Sequence, residues 1–244
     1  MRTLRRSAPG PHTIRAYLKP AHGCALPFDH ARVQAPHAPL DQGFADFMAD
    51  ERLAVRFIIE PADAATVRDF RAQAKRLWVE RHAPPDTLGG RIRHLASSLW
   101  WGVRQRTSWR RLRRHAPAVE AKARARLLTL QIQCRVQAPT RDLAEGRMGW
   151  LLQGFNACAS WRNWLLSHKP WRRRRFDRCF AEERSWPGAT FLVSHEEAYA
   201  LTGLPLLALA ELNERQVWTR WSGGDGEAPH ATGPQSGKGP RHDR

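Results

Sequence analysis

The chain has 244 residues, and its 40 Lys and Arg against 23 Asp and Glu give a formal net charge of +17 at pH 7. This length is enough for one large domain or two small ones with a hydrophobic core, and no apolar run approaches the roughly 20 residues that a membrane span needs. A positive field of this size attracts nucleic acid, acidic proteins or anionic lipid.

Nearly all of the positive charge is carried by arginine. Such an excess fits recognition of phosphate, and it fits equally the codon bias of a GC-rich genome. The four cysteines form no Cys-x-x-Cys pair, and no apolar core follows the basic first residues, so we expect no secretory signal and a reducing, cytoplasmic location. Association with the inner face of the membrane is an open alternative. Because His22, Cys24, His30 and His37 match no ligand spacing, no metal or cofactor is predicted.

Alternating and helical patterns follow one another in the first third of the chain. Residues 12–20 alternate and end at a proline, which predicts a short strand. Residues 40–50 predict a short amphipathic helix, and residues 52–61 a second strand. A helix over 62–84 follows, with Asp63 as its N-cap.

The outer face of this helix is basic, since it carries Arg68, Arg71, Lys75, Arg76 and Arg81. A solvated helix face and a surface that follows nucleic-acid phosphates both have this composition.

Residues 91–117 combine tryptophan with arginine. Leu99, Trp100 and Trp101 form a short apolar patch, which is a candidate membrane-interface segment or part of a linker helix in a protein groove. The arginines that follow it are candidate nucleic-acid ligands: Arg110, Arg111, Arg113 and Arg114.

The clearest pattern begins after a short helix over 116–126. Residues 127–139 alternate, with Cys134 on the apolar face and the glutamines on the polar face, which predicts a half-buried strand with a buried thiol. Thr140 caps a predicted helix over 140–160. Residues 190–205 predict a short extended piece and a helix capped by Ser194.

Residues 161–189 interleave tryptophan with arginine. This mixture favours tracking of single-stranded nucleic acid by charge and stacking, or a solvated basic loop whose tryptophans fold back onto the core. The candidate ligands in this segment are Trp164, Trp171, Arg172, Arg173, Arg174, Arg175 and Arg178.

No catalytic residues are predicted. The tail sequence at 233–239 has too few residues between its glycines for a P-loop and lacks the magnesium-binding hydroxyl. Ser194, His195 and Glu196 are consecutive, so they point in different directions and cannot form a triad among themselves. Residues 206–221 predict a further helix or a docking segment.

We therefore expect an α+β protein in which two similar strand–helix units form small sheets with helices packed on one face. The predicted boundaries are a basic Pro-rich segment (1–38), a first α+β unit (39–84), an Arg/Trp-rich linker helix (85–117), a second α+β unit (118–221) and a disordered tail (222–244).

Residues 40–205 resemble the region that precedes the motor in HerA/FtsK-superfamily ATPases related to type IV secretion coupling proteins. The family has a segment of the form F-L-L-S-x-E-E-L-A-x-L-x-x-L-P. The positions that fit it are Phe191, Leu192, Ser194, Glu196, Glu197, Ala200, Leu201, Leu204 and Pro205. Residues 53–77 are similar to the first half of the same region.

The resemblance implies a non-catalytic accessory or pre-motor domain in DNA translocation or conjugative transfer, which docks on a partner ATPase or other transfer-apparatus protein, or on DNA. Because no P-loop is found here, ATP hydrolysis is not carried over, and no small-molecule substrate is inferred. The chain is then a split-gene half, a paralogue or a remnant. The alternative is a stand-alone nucleic-acid-binding protein; an enzyme of another type has only the His/Cys cluster in its favour.

Overall fold

The computed structural model describes residues 12–22, 26–28, 50–82, 112, 114–156 and 163–222. The elements in chain order are β1 (His12–Pro20), β2 (Arg52–Pro61), α1 (Ala64–His82), α2 (Ala116–Arg124), β3 (Leu127–Ala138), α3 (Arg141–Asn156), β4 (Leu165–His168), α4 (Arg173–Ala181), β5 (Phe191–Ser194), α5 (His195–Thr202), α6 (Leu206–Ala210) and β6 (Gln216–Ser222). The predicted helix over 40–50 lies outside the described residues, apart from its last residue.

All described strands join one six-stranded sheet in the order β4-β1-β3-β2-β6, with β5 paired to β3. β3 is the central strand. One edge of β3 pairs antiparallel with β2 over Leu128–Gln137. The other edge pairs with β5 near its start and with β1 over Ile132–Ala138, so β1 and β5 lie end to end.

The alternation in the sequence sets the apolar face of this sheet. Cys134 of β3 lies between Val55 of β2 and Ala16 of β1, and similar rows run above and below it. α3, α5 and α6 cover this face through side chains such as Met148, Leu151, Phe155, Ala198, Leu201 and Leu209. Each large aliphatic side chain buried in this way stabilises the fold by about 1.5–3 kcal/mol.

The middle of the opposite face of β3 is buried as well, which corrects the prediction of a half-buried strand at this point. Gln131 and Gln133 are 1% and 0% exposed. The side-chain amide of Gln131 donates to the carbonyl of Trp186 at 2.7 Å and accepts from the Trp186 N–H at 2.8 Å. Gln133 Nε2 donates to the carbonyl of Arg184 at 3.0 Å, so backbone groups of the α4–β5 connection provide hydrogen-bond partners for both glutamines.

The α+β class is confirmed, but two details of the predicted architecture are wrong. The strands of the two predicted units, β2 and β3, pair directly with each other, so they form one sheet and not separate small sheets. Helices lie on both faces, because α4 packs on the polar side of the sheet. The alternation in sequence shows which residues share a face, and it does not show what covers that face.

α1 and α2 pack together and bury Phe70, Leu77 and Val119 with Leu127 and Leu192 at the start of β3 and β5. The predicted cap of α1 is confirmed, since Asp63 Oδ1 accepts the backbone N–H of Thr66 at 2.9 Å. The segment 206–221 divides into α6 and the edge strand β6, so the second half of the predicted helix is a strand.

The predicted cap of α5 is also confirmed. Ser194 Oγ accepts the backbone N–H of Glu197, and the carboxylate of Glu197 accepts the backbone N–H of Ser194, which is a capping box. Gly203 then ends the helix with φ of 67°, a conformation that glycine adopts without steric cost.

Candidate nucleic-acid interface

The arginine-rich run at 172–178 forms the helix α4, which the sequence patterns did not predict. Phe176 and Phe180 are four residues apart, so they lie on one face of the helix, and both are buried against the sheet. Most of the remaining positions are exposed arginines. The segment is thus a short amphipathic helix, whose two apolar anchors are hidden in sequence by the surrounding charge.

α4 is fixed to the sheet by aromatic packing and by one ion pair. The ring of Phe176 meets that of Trp186 at 5.5 Å in an edge-to-face arrangement, and Ala54 of β2 belongs to the same buried cluster. Arg15 Nε of β1 donates to Asp177 Oδ1 at 2.6 Å. These contacts hold the helix backbone, and therefore its arginines, in place.

The outer face of α4 is an unneutralised positive surface. The exposed arginines are Arg172, Arg173, Arg174, Arg175 and Arg178. None of them pairs with a carboxylate among the described residues. Three of them occupy the first turn, where the helix dipole already favours negative charge. An anion bound here would neutralise the unpaired arginines and would also interact favourably with the helix dipole.

A shallow surface hollow of about 580 Å³ lies beside this face, and we call it the α4 hollow. Its lining comprises Arg172, Arg174, Arg175, Arg178, Cys179, Glu182, Arg184 and Ser185. Glu182 is already paired with Arg184 at 3.2 Å. The lining therefore keeps a large surplus of guanidinium groups, which bind phosphate oxygens in bidentate geometry.

The predicted tryptophans have different environments. Trp171 is 68% exposed, and the guanidinium of Arg172 lies 4.3 Å from its ring centroid. Trp164 lies at the other end of β4, half-buried, with its ring perpendicular to that of His22 at 4.4 Å. Trp186 is buried against Phe176. Of these three tryptophans, Trp171 alone offers an exposed ring beside the arginines of α4, so the structure does not bring Trp164 into this surface.

A further cation lies beneath α4. Arg56 of β2 is buried, its guanidinium lies 4.3 Å from the ring of Phe180, and its Nε donates to Thr219 at 2.8 Å. Burial lowers the pKa of Arg56, and the nearby carboxylate of Glu183 raises it. The nearest approach of that carboxylate is 3.9 Å. Sequence patterns missed Arg56 and Arg15 because both lie on the polar face of alternating strands.

The other predicted candidates divide into two groups. Arg114 is exposed and precedes α2. α2 packs against α1 and does not belong to the aromatic cluster that holds α4. Outside the described residues lie the arginines Arg110, Arg111 and Arg113 and the membrane-interface candidates Leu99, Trp100 and Trp101.

The basic face of α1 is a competing surface. Arg68, Lys75 and Arg76 are exposed, whereas Arg71 donates to the carbonyl of Ala123 at 3.0 Å and so also ties α1 to the end of α2. Trp78 of the same helix is 40% exposed, so α1 also combines exposed cations with an exposed aromatic ring.

In the described part of the chain, no group of three or more His, Cys, Asp or Glu is placed to hold a metal ion. Cys24, His30 and His37 lie outside that part. Cys134 is buried as predicted, and burial raises the pKa of its thiol, which disfavours the reactive thiolate. None of the described helices is long and apolar enough to cross a bilayer.

Comparison of the chain with protein-family models, with curated proteins and with solved structures found no match.

Proposed function

We propose that this protein binds nucleic acid through the arginine face of α4, as an accessory domain of a DNA-translocation or conjugative-transfer apparatus. The observation that carries nucleic-acid binding is the outer face of α4, where Arg172 to Arg175 and Arg178 are exposed without carboxylate partners among the described residues. Trp171 adds a ring on which a base can stack.

This face fits nucleic acid better than it fits a lipid surface. An interfacial membrane helix buries an apolar face in the bilayer, whereas the apolar face of α4 is already buried against the sheet through Phe176 and Phe180. What α4 offers to a partner is arginine, and guanidinium groups match the geometry of phosphate oxygens.

The transfer-apparatus part of the proposal is supported by the sequence resemblance. The segment that carries it folds as β5 followed by α5, in which Ser194 and Glu197 form the capping box. The matching residues are therefore residues that build a scaffold, and the proposed contact surface lies on the neighbouring helix α4. This arrangement agrees with an accessory domain that positions a basic surface.

The binding proposal is tested by fluorescence anisotropy with labelled single-stranded and duplex DNA over a salt series. The variant Arg174→Ala/Arg175→Ala/Arg178→Ala removes three charges from α4. The control Arg68→Ala/Lys75→Ala/Arg76→Ala removes the same charge from α1. We expect the α4 variant to reduce the slope of log K against log salt for single strands by about 2, at about 0.7 for each phosphate contact. The α1 control keeps most of the slope.

Equal losses in both variants would show that only net charge matters and would contradict a site on α4. Negligible affinity of the unmodified protein near physiological salt would overturn nucleic-acid binding altogether. The apparatus proposal is tested separately, because it predicts a neighbouring reading frame that encodes a P-loop motor. A gene neighbourhood without such a motor would remove its support and leave the binding proposal standing.

A further inference from the structure

A second surface hollow, of about 400 Å³, lies where β1, α3 and α4 begin, and we call it the β1 hollow. Its charged and titratable lining is His12, Arg15, Arg141, Glu145, Lys169 and Arg173. These residues come from three separate segments of the chain, and none of the residues that line the α4 hollow belongs to this set. The sequence patterns gave no sign of it, since its cations are distant in sequence.

Two of the cations in the β1 hollow are already neutralised. Arg15 donates to Asp177 at 2.6 Å and to the carbonyl of Thr13 at 3.2 Å, which fixes its guanidinium. Arg141 pairs with Glu145 at 3.0 Å across one helical turn. Both arginines keep further N–H donors, because a guanidinium has five.

The other two cations are not neutralised. Lys169 and Arg173 are exposed and have no carboxylate partner among the described residues. The hollow therefore carries a surplus of two positive charges beside two positioned guanidinium groups. A phosphate monoester matches this surplus, because it carries about −1.5 to −2 charges at pH 7 and three acceptor oxygens. A carboxylate or an internal phosphodiester carries only one negative charge.

Backbone groups add to the lining. β4 pairs only with Tyr17–Pro20 of β1. Among the described strands, residues 12–16 therefore have a partner on the β3 side alone. His12 to Arg15 of this edge line the hollow, so the edge of β1 that β4 leaves uncovered borders the same space. Apart from the imidazole of His12 the lining holds no aromatic ring, so it suits recognition of charge and not of a base.

We propose that the β1 hollow binds the terminal phosphomonoester of a nucleic-acid strand whose inner phosphates lie along α4. The inference rests on the nucleic-acid binding proposed for α4. Arg173, at the first position of α4, lines the β1 hollow, while Arg174 and Arg175 line the α4 hollow. Consecutive residues of one helix thus connect the site for the strand end with the site for the strand interior.

The test uses three internally labelled single-stranded oligonucleotides of one sequence, with a 5′-phosphate, a 3′-phosphate or hydroxyls at both ends. We expect one phosphorylated end to raise affinity about tenfold and to steepen the salt slope by about 0.7–1.4. The preferred end, 5′ or 3′, shows in which direction the strand runs from the β1 hollow along α4. Lys169→Ala removes the preference and leaves the affinity for the hydroxyl-ended strand within about twofold.

Arg178→Ala is the matched control, because Arg178 lines only the α4 hollow. It weakens binding of all three oligonucleotides by the same factor and leaves the end preference intact. Equal affinity of the unmodified protein for the three oligonucleotides overturns this inference and leaves the proposed function standing. No binding of any of them overturns both.

Two further outcomes would also overturn the assignment of the β1 hollow as the site of the terminal phosphate. One is an end preference that survives in both Lys169→Ala and Arg173→Ala, which would place the phosphate elsewhere. The other is competition by an acidic peptide of ten glutamate residues. If this peptide displaces the phosphorylated strand at the same concentration as the unlabelled strand does, the hollow would favour an acidic peptide on the open edge of β1.

Discussion

The ammonium nitrogen of Lys122 lies 2.8 Å from Oε2 of Glu197, and both side chains are almost completely buried. Lys122 of α2 also donates to the carbonyl of Leu192 at 3.0 Å. Glu197 of α5 accepts the backbone N–H groups of Phe28 and Ser194, each at 2.7 Å. The pair therefore connects α2, the start of α5, the end of β5 and a segment that follows β1.

Because this charge pair is buried and fully hydrogen-bonded, removal of one partner should be costly. Lys122→Met leaves the carboxylate of Glu197 buried without its cation, and we expect the free energy of unfolding to fall by about 3–5 kcal/mol. Urea denaturation measures it. In the double variant Lys122→Met/Glu197→Gln no charge is left uncompensated, so its loss should be smaller than the sum of the single losses. Additive losses would contradict a coupled pair.

Glu183 should be under opposing constraints. It adopts φ of 55° after the last turn of α4, where the Arg184 N–H returns to the carbonyl of Cys179 at 2.8 Å, as in a Schellman motif. Glycine would relieve about 1 kcal/mol of strain. The carboxylate of Glu183, however, offsets the buried positive charge of Arg56.

We therefore expect Glu183→Gly to stabilise the protein by about 1 kcal/mol in an Arg56→Met background, and by less, or not at all, with Arg56 present. Chemical denaturation of the two single variants and the double variant measures the coupling. The same gain in both backgrounds would show that Glu183 has no electrostatic role.

Gln131→Leu should loosen the support of α4. The substitution leaves the buried N–H of Trp186 without its partner, which costs about 1–3 kcal/mol. It also removes one of the two hydrogen bonds to the Trp186 carbonyl, which still accepts the N–H of Ala189. Because Trp186 packs against Phe176, we expect lower nucleic-acid affinity as well as a lower unfolding free energy. The control is Gln137→Leu in the same strand, which removes only one half-exposed bond of 3.3 Å to Thr13. Equal losses in both variants would contradict this role.

The cap of α1 should give a pH-dependent contribution to stability. Hydrogen bonds from the side chain and then the backbone of Thr66 lower the pKa of Asp63 from its ordinary value of 3.8. Since the folded-state pKa is lowered, the stabilisation is complete well above pH 3.8 and is lost as the pH falls through the folded-state pKa.

Asp63→Ala should therefore lower the melting temperature at pH 7, and the difference from the unmodified protein should shrink below pH 3.8. Thermal melts followed by circular dichroism at pH 7, 4 and 3 measure this difference. A difference that stays constant down to pH 3 would exclude the carboxylate as its source.

Local signals predicted much of the fold. The caps at Asp63, Thr140 and Ser194 form the expected hydrogen bonds, because a cap depends on residues within one turn of helix. α4 was missed for a related reason. Its two anchors, Phe176 and Phe180, make a helix only when Trp186 and Ala54 provide a surface to cover.

The sequence by itself determined which residues of β1, β2 and β3 share the apolar face, because side chains alternate along a strand whatever its partners are. Only the tertiary structure decided that β1 and β5 share one edge of β3, that Gln131 and Gln133 are buried, and that arginines from distant segments line the β1 hollow. Those outcomes depend on contacts between residues far apart in the chain, and a local pattern carries no information about its distant partners.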